Sequence, residues 1–253
     1  MASTSETGHD VNLANYKLII TRIGTFTNYA PANPSLLIAA MTAQSTAADT
    51  AHSNYLAKLE NTKEPINERE IVFINLKKLV PRVNNIFASS VASKASKRDA
   101  AGLMKKILGR GVRVRYMADG KIDPKWISNS QQSYVKMTKN YEQLVNLLDA
   151  NGHYEVNEAV LKIANLKTVL TNLKAKNDAI DSIIATAIEF RTKRDHMLYD
   201  LDTGIIDISL LCKKYVKGLF GASSPEAKSV TSIYLKRVKK LDVAETLAVV
   251  PGP

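Results

Sequence analysis

Ile163, Leu166, Leu170, Leu173, Asn177, Ile180, Ile184 and Ala187 follow one another at alternating steps of three and four residues. A seam at that spacing, held over more than three heptads, lies along one face of a helix. A continuous helix from about Asn157 to Tyr199 would be roughly 65 Å long at 1.5 Å per residue. Asn177, the one polar member, is expected to fix register, as a single polar residue does on a coiled-coil seam.

The rest of the chain also carries helical spacing. Glycine is scarce, with 11 among 253 residues, and strand-like alternation is nearly absent. A first helix is predicted over Leu13 to Tyr29, with Leu13, Tyr16, Ile20 and Ile23 on one face. Asn33 is a good cap for an alanine-rich helix from Pro34 into the 50s. Residues 61–65 form a turn or a kink. Glu68 to Val80 is helical, and Pro81 should bend or restart it. Asp99 is placed to cap a short helix to Leu108. Val112 to Tyr116 alternates, so a small hairpin or irregular segment is expected near 109–122. Ser128 or Ser130 opens a helix that ends near Asn151-Gly152. Ile205 to Phe220 is the last main helix, and Ser224-Pro225-Glu226 starts a short further turn. The expected fold class is all-α: an elongated antiparallel bundle of long helices. Residues 11–235 form one domain, between a flexible tail at 1–10 and a basic, loose tail at 236–253.

The two halves, about 29–111 and 154–235, can be laid over each other. Tyr29-Ala-Pro-Ala-Asn33 followed by Leu37 matches Tyr154-Glu-Val-Asn157 followed by Leu161, at offsets of 124 to 125. Arg69 then falls on Arg194 and Phe73 on Leu198. Val83, Phe87 and Ser90 fall on Val216, Phe220 and Ser223 at an offset of 133. The pattern points to an internal duplication with about eight extra residues near 202–209.

Tyr154-Glu-Val-Asn157, Leu166, Leu170-Thr-Asn-Leu173-Lys-Ala-Lys-Asn177 and Lys213-Lys-Tyr-Val-Lys-Gly-Leu-Phe-Gly-Ala-Ser-Ser-Pro-Glu226, followed by Lys228 and Ile233, resemble a family of bacterial all-helical proteins. Ser130 to Tyr134 and Tyr141 to Leu148 fit the same pattern. The resemblance spans about residues 29–235 and implies a helical bundle in the cytoplasm. The family carries no established activity, so the resemblance transfers no functional residue.

Charge is distributed unevenly. The chain has 35 Lys+Arg against 24 Asp+Glu, a net of +11. Residues 94–139 hold 12 basic and 3 acidic side chains, and residues 213–240 hold 8 and 1. The remainder is slightly acidic. Two basic segments over an acidic body raise polyanion binding as a function. The candidates are Lys94, Lys97, Arg98, Lys105, Lys106, Arg110, Arg113 and Arg115, with Lys236, Arg237, Lys239 and Lys240. Tyr116, Trp126 and Tyr134 are interspersed and could stack on bases. A solvated helix face explains the same run without any ligand, and no known nucleic-acid motif is present.

No constellation for catalysis stands out. His9, His52, His153 and His196 show neither Glu-x-x-His nor His-Glu-x-x-His spacing. Asp200-x-Asp202-x-Gly204 places glycine one position early for a calcium loop, which favours a polar turn. Gly109-Arg-Gly111 lacks the phosphate-loop pattern. Cys212, the only cysteine, excludes a disulfide framework and lies on an apolar helix face, as a core residue does. Glu189, Asp195 and Asp200 could cluster only with help from another helix. Arg191 and Arg194 continue the seam, and a seam arginine needs a carboxylate or carbonyl. With Arg69 they are expected to form structural ion pairs between the halves.

No apolar run reaches the ~18 residues of a membrane span, and Met1 to Asp10 lacks a signal-peptide core. The expectation is a cytoplasmic, non-enzymatic structural or interaction protein without cofactor or metal, which binds itself or another protein. Binding of nucleic acid or another polyanion is the alternative. A membrane-associated or pore-forming helical protein is a third class, disfavoured by the missing leader.

Overall fold

The computed structural model describes residues 8–110, 117, 119 and 132–237. Among these the protein is all-α, with no strand. The helices are α1 (His9–Ile23), α2 (Ile38–Glu60), α3 (Lys63–Ser89), α4 (Lys94–Leu108), α5 (Tyr134–Asn151), α6 (Ile163–Tyr199), α7 (Ile205–Phe220) and α8 (Pro225–Thr231). One-turn 3-10 helices, Pro34–Leu36 and Ala159–Leu161, precede α2 and α6. The hairpin expected near 109–122 falls mostly outside the described residues.

Several boundaries differ from expectation for local reasons. α1 starts four residues early and stops at Ile23, where Gly24 gives its N–H to the Ile20 carbonyl. Its buried face uses Ile19 in place of Ile20. α3 is one run from Lys63 through Pro81. Pro65 sits in its first turn, where no intrahelical N–H is needed. α4 starts at Lys94, because Ser93 and not Asp99 is its cap: Ser93 Oγ accepts the Ser96 N–H at 3.1 Å. α5 is capped by Ser133, later than either expected serine, and ends at Gly152 with φ 67°. α6 starts at Ile163, after its 3-10 turn, and runs to Tyr199 as expected.

The chain forms two compact units. Of the described residues the first holds 8–61 and 183–237, so it takes α1, α2, the end of α6, α7 and α8. Its core joins Tyr16, Ile19, Ile23, Met41, Leu198, Ile208, Cys212, Val216 and Val230. Its C-terminal segment is sewn to α1 by polar side chains. Asn12 Nδ2 donates to the Lys236 carbonyl at 2.7 Å, and the Lys236 N–H donates to Asn12 Oδ1 at 2.9 Å. Asn15 donates to the Tyr234 carbonyl at 2.7 Å, and Arg22 to the Ser229 carbonyl.

Of the described residues the second unit holds 62–110, 117, 119 and 132–182, hence α3, α4, α5 and the start of α6. Phe73, Leu76, Val80, Phe87, Ile107, Tyr141, Leu144, Leu166 and Leu173 build its core. Each unit carries the same turn before its long helix. Tyr29 donates its hydroxyl to the Leu36 carbonyl at 2.9 Å, and Tyr154 donates to the Leu161 carbonyl at 3.0 Å. In both cases a tyrosine reaches seven residues on and closes a 3-10 turn.

Candidate functional site: the basic face of α4

α4 is fixed at both ends and along its apolar side. Ser93 caps its start, and Asn151 Nδ2 donates to Ser96 Oγ at 3.1 Å. At its end Gly109 adopts φ 70°, the left-handed conformation that glycine tolerates. Gln132 Nε2 donates to the Lys106 and Ile107 carbonyls at 2.7 and 3.3 Å, which satisfies acceptors the helix itself cannot. Ala100 and Ile107 are fully buried, and Leu103 and Met104 lie half-buried against the same core. The opposite side is left to solvent.

On that side stand Lys94, Arg98, Lys105 and Lys106, with Arg110 just past the helix, all exposed. None of the five has a carboxylate within salt-bridge distance among the described residues. Asp99, the only acid on α4, makes no ion pair with them. Lys97 differs: it is half-buried and donates to the Ser90 carbonyl at 2.5 Å. Some bases elsewhere meet acids, as in Lys17–Asp49 (2.5 Å), Lys174–Glu142 (2.6 Å) and Lys176–Glu68 (2.6 Å), whereas others, such as Lys162, Lys214 and Lys228, stand exposed and apart.

The second expected basic stretch is used differently. Lys236 is held by its backbone to Asn12, as described above. Arg237 pairs with Asp207 at 3.0 Å and donates to the Tyr199 carbonyl. Tyr134 lies against Phe73, centroids 4.6 Å apart, beneath the Arg69 guanidinium. It is a packing residue and not an open stacking platform. Arg113, Arg115, Lys239, Lys240, Tyr116 and Trp126 lie outside the described residues.

The seam arginines part ways. Arg194 is buried and grips Asp195 Oδ1 through Nε and Nη2 at 2.9 and 2.7 Å. Its guanidinium carbon lies 4.3 Å from the Tyr55 ring centroid. Arg191 stands 3.8 Å from the same Asp195. Arg69 has no ion pair among the described residues; its guanidinium lies 4.3 Å from the Tyr134 centroid and its Nε is buried without a partner there. The ion pair expected of Arg69 is therefore replaced by a cation–π contact, because neighbouring Glu68 is taken by Lys176. Asn177 Nδ2 donates to Thr138 Oγ1 at 3.1 Å, while its Oδ1 is buried and unpartnered.

One cluster escaped the sequence pattern. In the first unit His9 Nδ1 shares a hydrogen bond with the Tyr199 hydroxyl at 2.7 Å, and His52 Nε2 bonds Asp10 Oδ1 at 2.9 Å. The two imidazoles are 5.9 Å apart. Burial and the nearby Arg194 charge push His9 down from 6.5 to about 4. Its members come from α1, α2 and α6, so no local spacing reveals it.

The remaining groups are occupied. Glu189 pairs with Lys193, and Asp200 with His196, each on its own helix. Asp207 Oδ2 accepts the Asp202 N–H at 3.0 Å, so the acidic stretch is a closed turn. Burial pushes the Cys212 thiol up, away from thiolate chemistry. Among the described residues no three His, Cys, Asp or Glu side chains gather as a metal site, and no helix is long and apolar enough to cross a membrane. Comparison with known families, curated proteins and solved structures finds no match.

Proposed function

We propose that this is an interaction protein that binds a polyanion through α4. The carrying observation is a gathering of charge: five exposed cations stand together at α4 with no acid beside them among the described residues, while Arg237 of the second stretch is spent on Asp207. Unpaired cations on a rigid helix attract phosphates or sulfates and release their counterions at little structural cost. Retention on immobilised heparin tests it. Replacing Lys94, Arg98 and Lys105 by Gln should lower the salt needed for elution, whereas Lys17→Gln, which removes a cation already paired with Asp49, should leave it unchanged. Equal elution of the triple variant and the parent would refute the assignment.

Self-association is a second reading, favoured by α2. Ile38, Ala39, Ala40, Ala43 and Ala47 are exposed on a stretch with no charge before Asp49. Thr42, Thr46 and Thr50 turn their hydroxyls back to the carbonyls of Ile38, Thr42 and Thr46 at 2.7, 3.1 and 2.9 Å. Light scattering over a dilution series, with Ala43→Glu as control, tests it.

The duplication belongs to the same proposal. Tyr16, Tyr29, Leu36, Met41, Arg69 and Phe73 stand 125 residues before Tyr141, Tyr154, Leu161, Leu166, Arg194 and Leu198. The two tyrosine-closed turns support that register, with Leu36 in place of Leu37 opposite Leu161. On this view α1 and α2 repeat as α5 and α6.

A further inference from the structure

We infer that the polyanion met by α4 is the sugar–phosphate backbone of a nucleic-acid duplex, contacted without reading of the bases. This rests on the polyanion reading above. Lys94, Arg98 and Lys105 fall within an arc of about 40° at 3.6 residues per turn, over roughly 16 Å of helix axis. Buried Ala100 and Ile107 occupy the opposite side. The row therefore points away from its own core, straight and regular. A duplex offers one negative charge per ~1.7 Å of its axis, which a straight row of cations can track.

Between the charges the helix is nearly smooth. Ala101 and Gly102 separate Arg98 from Lys105, Ala95 flanks them, and a Cβ added at Gly102 would meet nothing within 4 Å. A backbone of phosphates can come close to such a surface. The solvent-facing arc has no Asn, Gln, Ser or Thr to bond base edges, and Arg98 is its one forked donor for a guanine. It has no aromatic ring on which an unpaired base could stack, which disfavours a single strand. Its one large apolar side chain away from the core is half-buried Leu108 at the C-terminal end, since Leu103, Met104 and Ile107 face the core, and a single leucine is little to enter a lipid headgroup layer. At the C-terminal end, Gln132 covers two carbonyls whose partial negative charge would repel phosphate. Lys106 and Arg110 carry the positive surface onward from there.

DNA and RNA duplexes share this chemistry, and the test separates them. The full chain is titrated, by fluorescence anisotropy, against two DNA duplexes of unrelated sequence, an RNA duplex and a single strand. The series runs from about 50 to about 200 mM salt. Heparin and phosphatidylglycerol vesicles are assayed beside them. The expected result is equal affinity for the two DNA sequences, with weaker binding of the single strand. Lys94→Gln/Arg98→Gln/Lys105→Gln, checked for helicity by circular dichroism, should lose at least about tenfold at low salt. Its salt slope should fall by about 3, near 0.9 per phosphate contact removed. Preference between the two DNA sequences overturns backbone-only binding. Preference for the single strand or for vesicles overturns the duplex assignment. Heparin binding that the triple variant loses, with no duplex bound, leaves the polyanion reading standing and sinks this inference. A parent that binds none of these at low salt, or a triple variant that binds duplex like the parent, sinks both.

Discussion

The Tyr199 hydroxyl lies 2.7 Å from His9 Nδ1 and ties the first turn of α1 to the last residue of α6. His9 is held near 4 by burial first and by Arg194 second, with His52 adding in the same direction. Asp195 and Asp10 oppose that shift. The folded state therefore binds fewer protons at His9 than the unfolded chain does between pH 4 and 6.5. The stabilisation is complete above 6.5 and is lost as pH falls toward 4. The urea midpoint should drop across that window, and His9→Gln should flatten the drop while keeping a hydrogen-bonding side chain beside Tyr199. Parallel pH profiles for parent and variant would show that His9 does not govern it.

Helix existence was legible because spacing is a local property. α7 matches its expected limits at both ends, where Gly204 and Gly221 punctuate the chain. The start of α6 was misplaced because Tyr154 reaches across the turn to Leu161 and delays the helix by six residues. The end of α1 was readable in principle from Gly24 after basic Arg22. For α4 the cap is Ser93, which stands before the first turn, whereas Asp99 is inside the helix. The basic run was visible in the sequence, but its division into free and spent cations was not. Arg237 finds Asp207 across 30 residues, and the Lys236 backbone, with its ammonium left exposed, finds Asn12 across 224. Such pairings depend on tertiary placement, as does the His9–Tyr199 contact.

Arg194 and Arg69 were expected to behave alike, and their surroundings predict unequal costs of removal. Arg194→Met abandons a two-point bond to Asp195 and the Tyr55 face, in a site where the arginine is 4 % exposed. Loss of one partner from a buried pair costs about 3 kcal/mol. Arg69→Met removes a guanidinium that has no carboxylate and an Nε without a partner, so about 1 kcal/mol is expected, chiefly the cation–π contact. Guanidinium denaturation of the two variants should separate them clearly. Equal losses would mean that the Asp195 bond contributes little.

Gly204 is required by closeness of backbone. A Cβ there would stand 2.7 Å from the Asp200 N and 2.8 Å from its carbonyl oxygen, neither of which can rotate away. Its φ of −69° is ordinary, so strain in the dihedral is not the reason. Gly204→Ala should cost about 3 kcal/mol by overpacking. Gly218→Ala, with open space around the added carbon, should be neutral or slightly stabilising. Thermal midpoints of the pair check the contrast.

Asn177 carries the last expectation, because it sits on the seam with one amide atom satisfied and the other not. Leu has the same number of side-chain heavy atoms in a similar branched shape, so Asn177→Leu fills the site without a cavity. It gives up one hydrogen bond to Thr138, worth about 1 kcal/mol, and relieves a buried carbonyl oxygen that costs about 1–3 kcal/mol unpaired. Thr138 still donates to the Tyr134 carbonyl at 2.8 Å, so its own hydroxyl proton is not stranded. Stability should rise by about 1 kcal/mol. If Asn177 also fixes the register of the seam, the variant should unfold with a shallower denaturant slope, since alternative pairings then compete. A higher midpoint with an unchanged slope would instead place the control of register in the apolar residues around it.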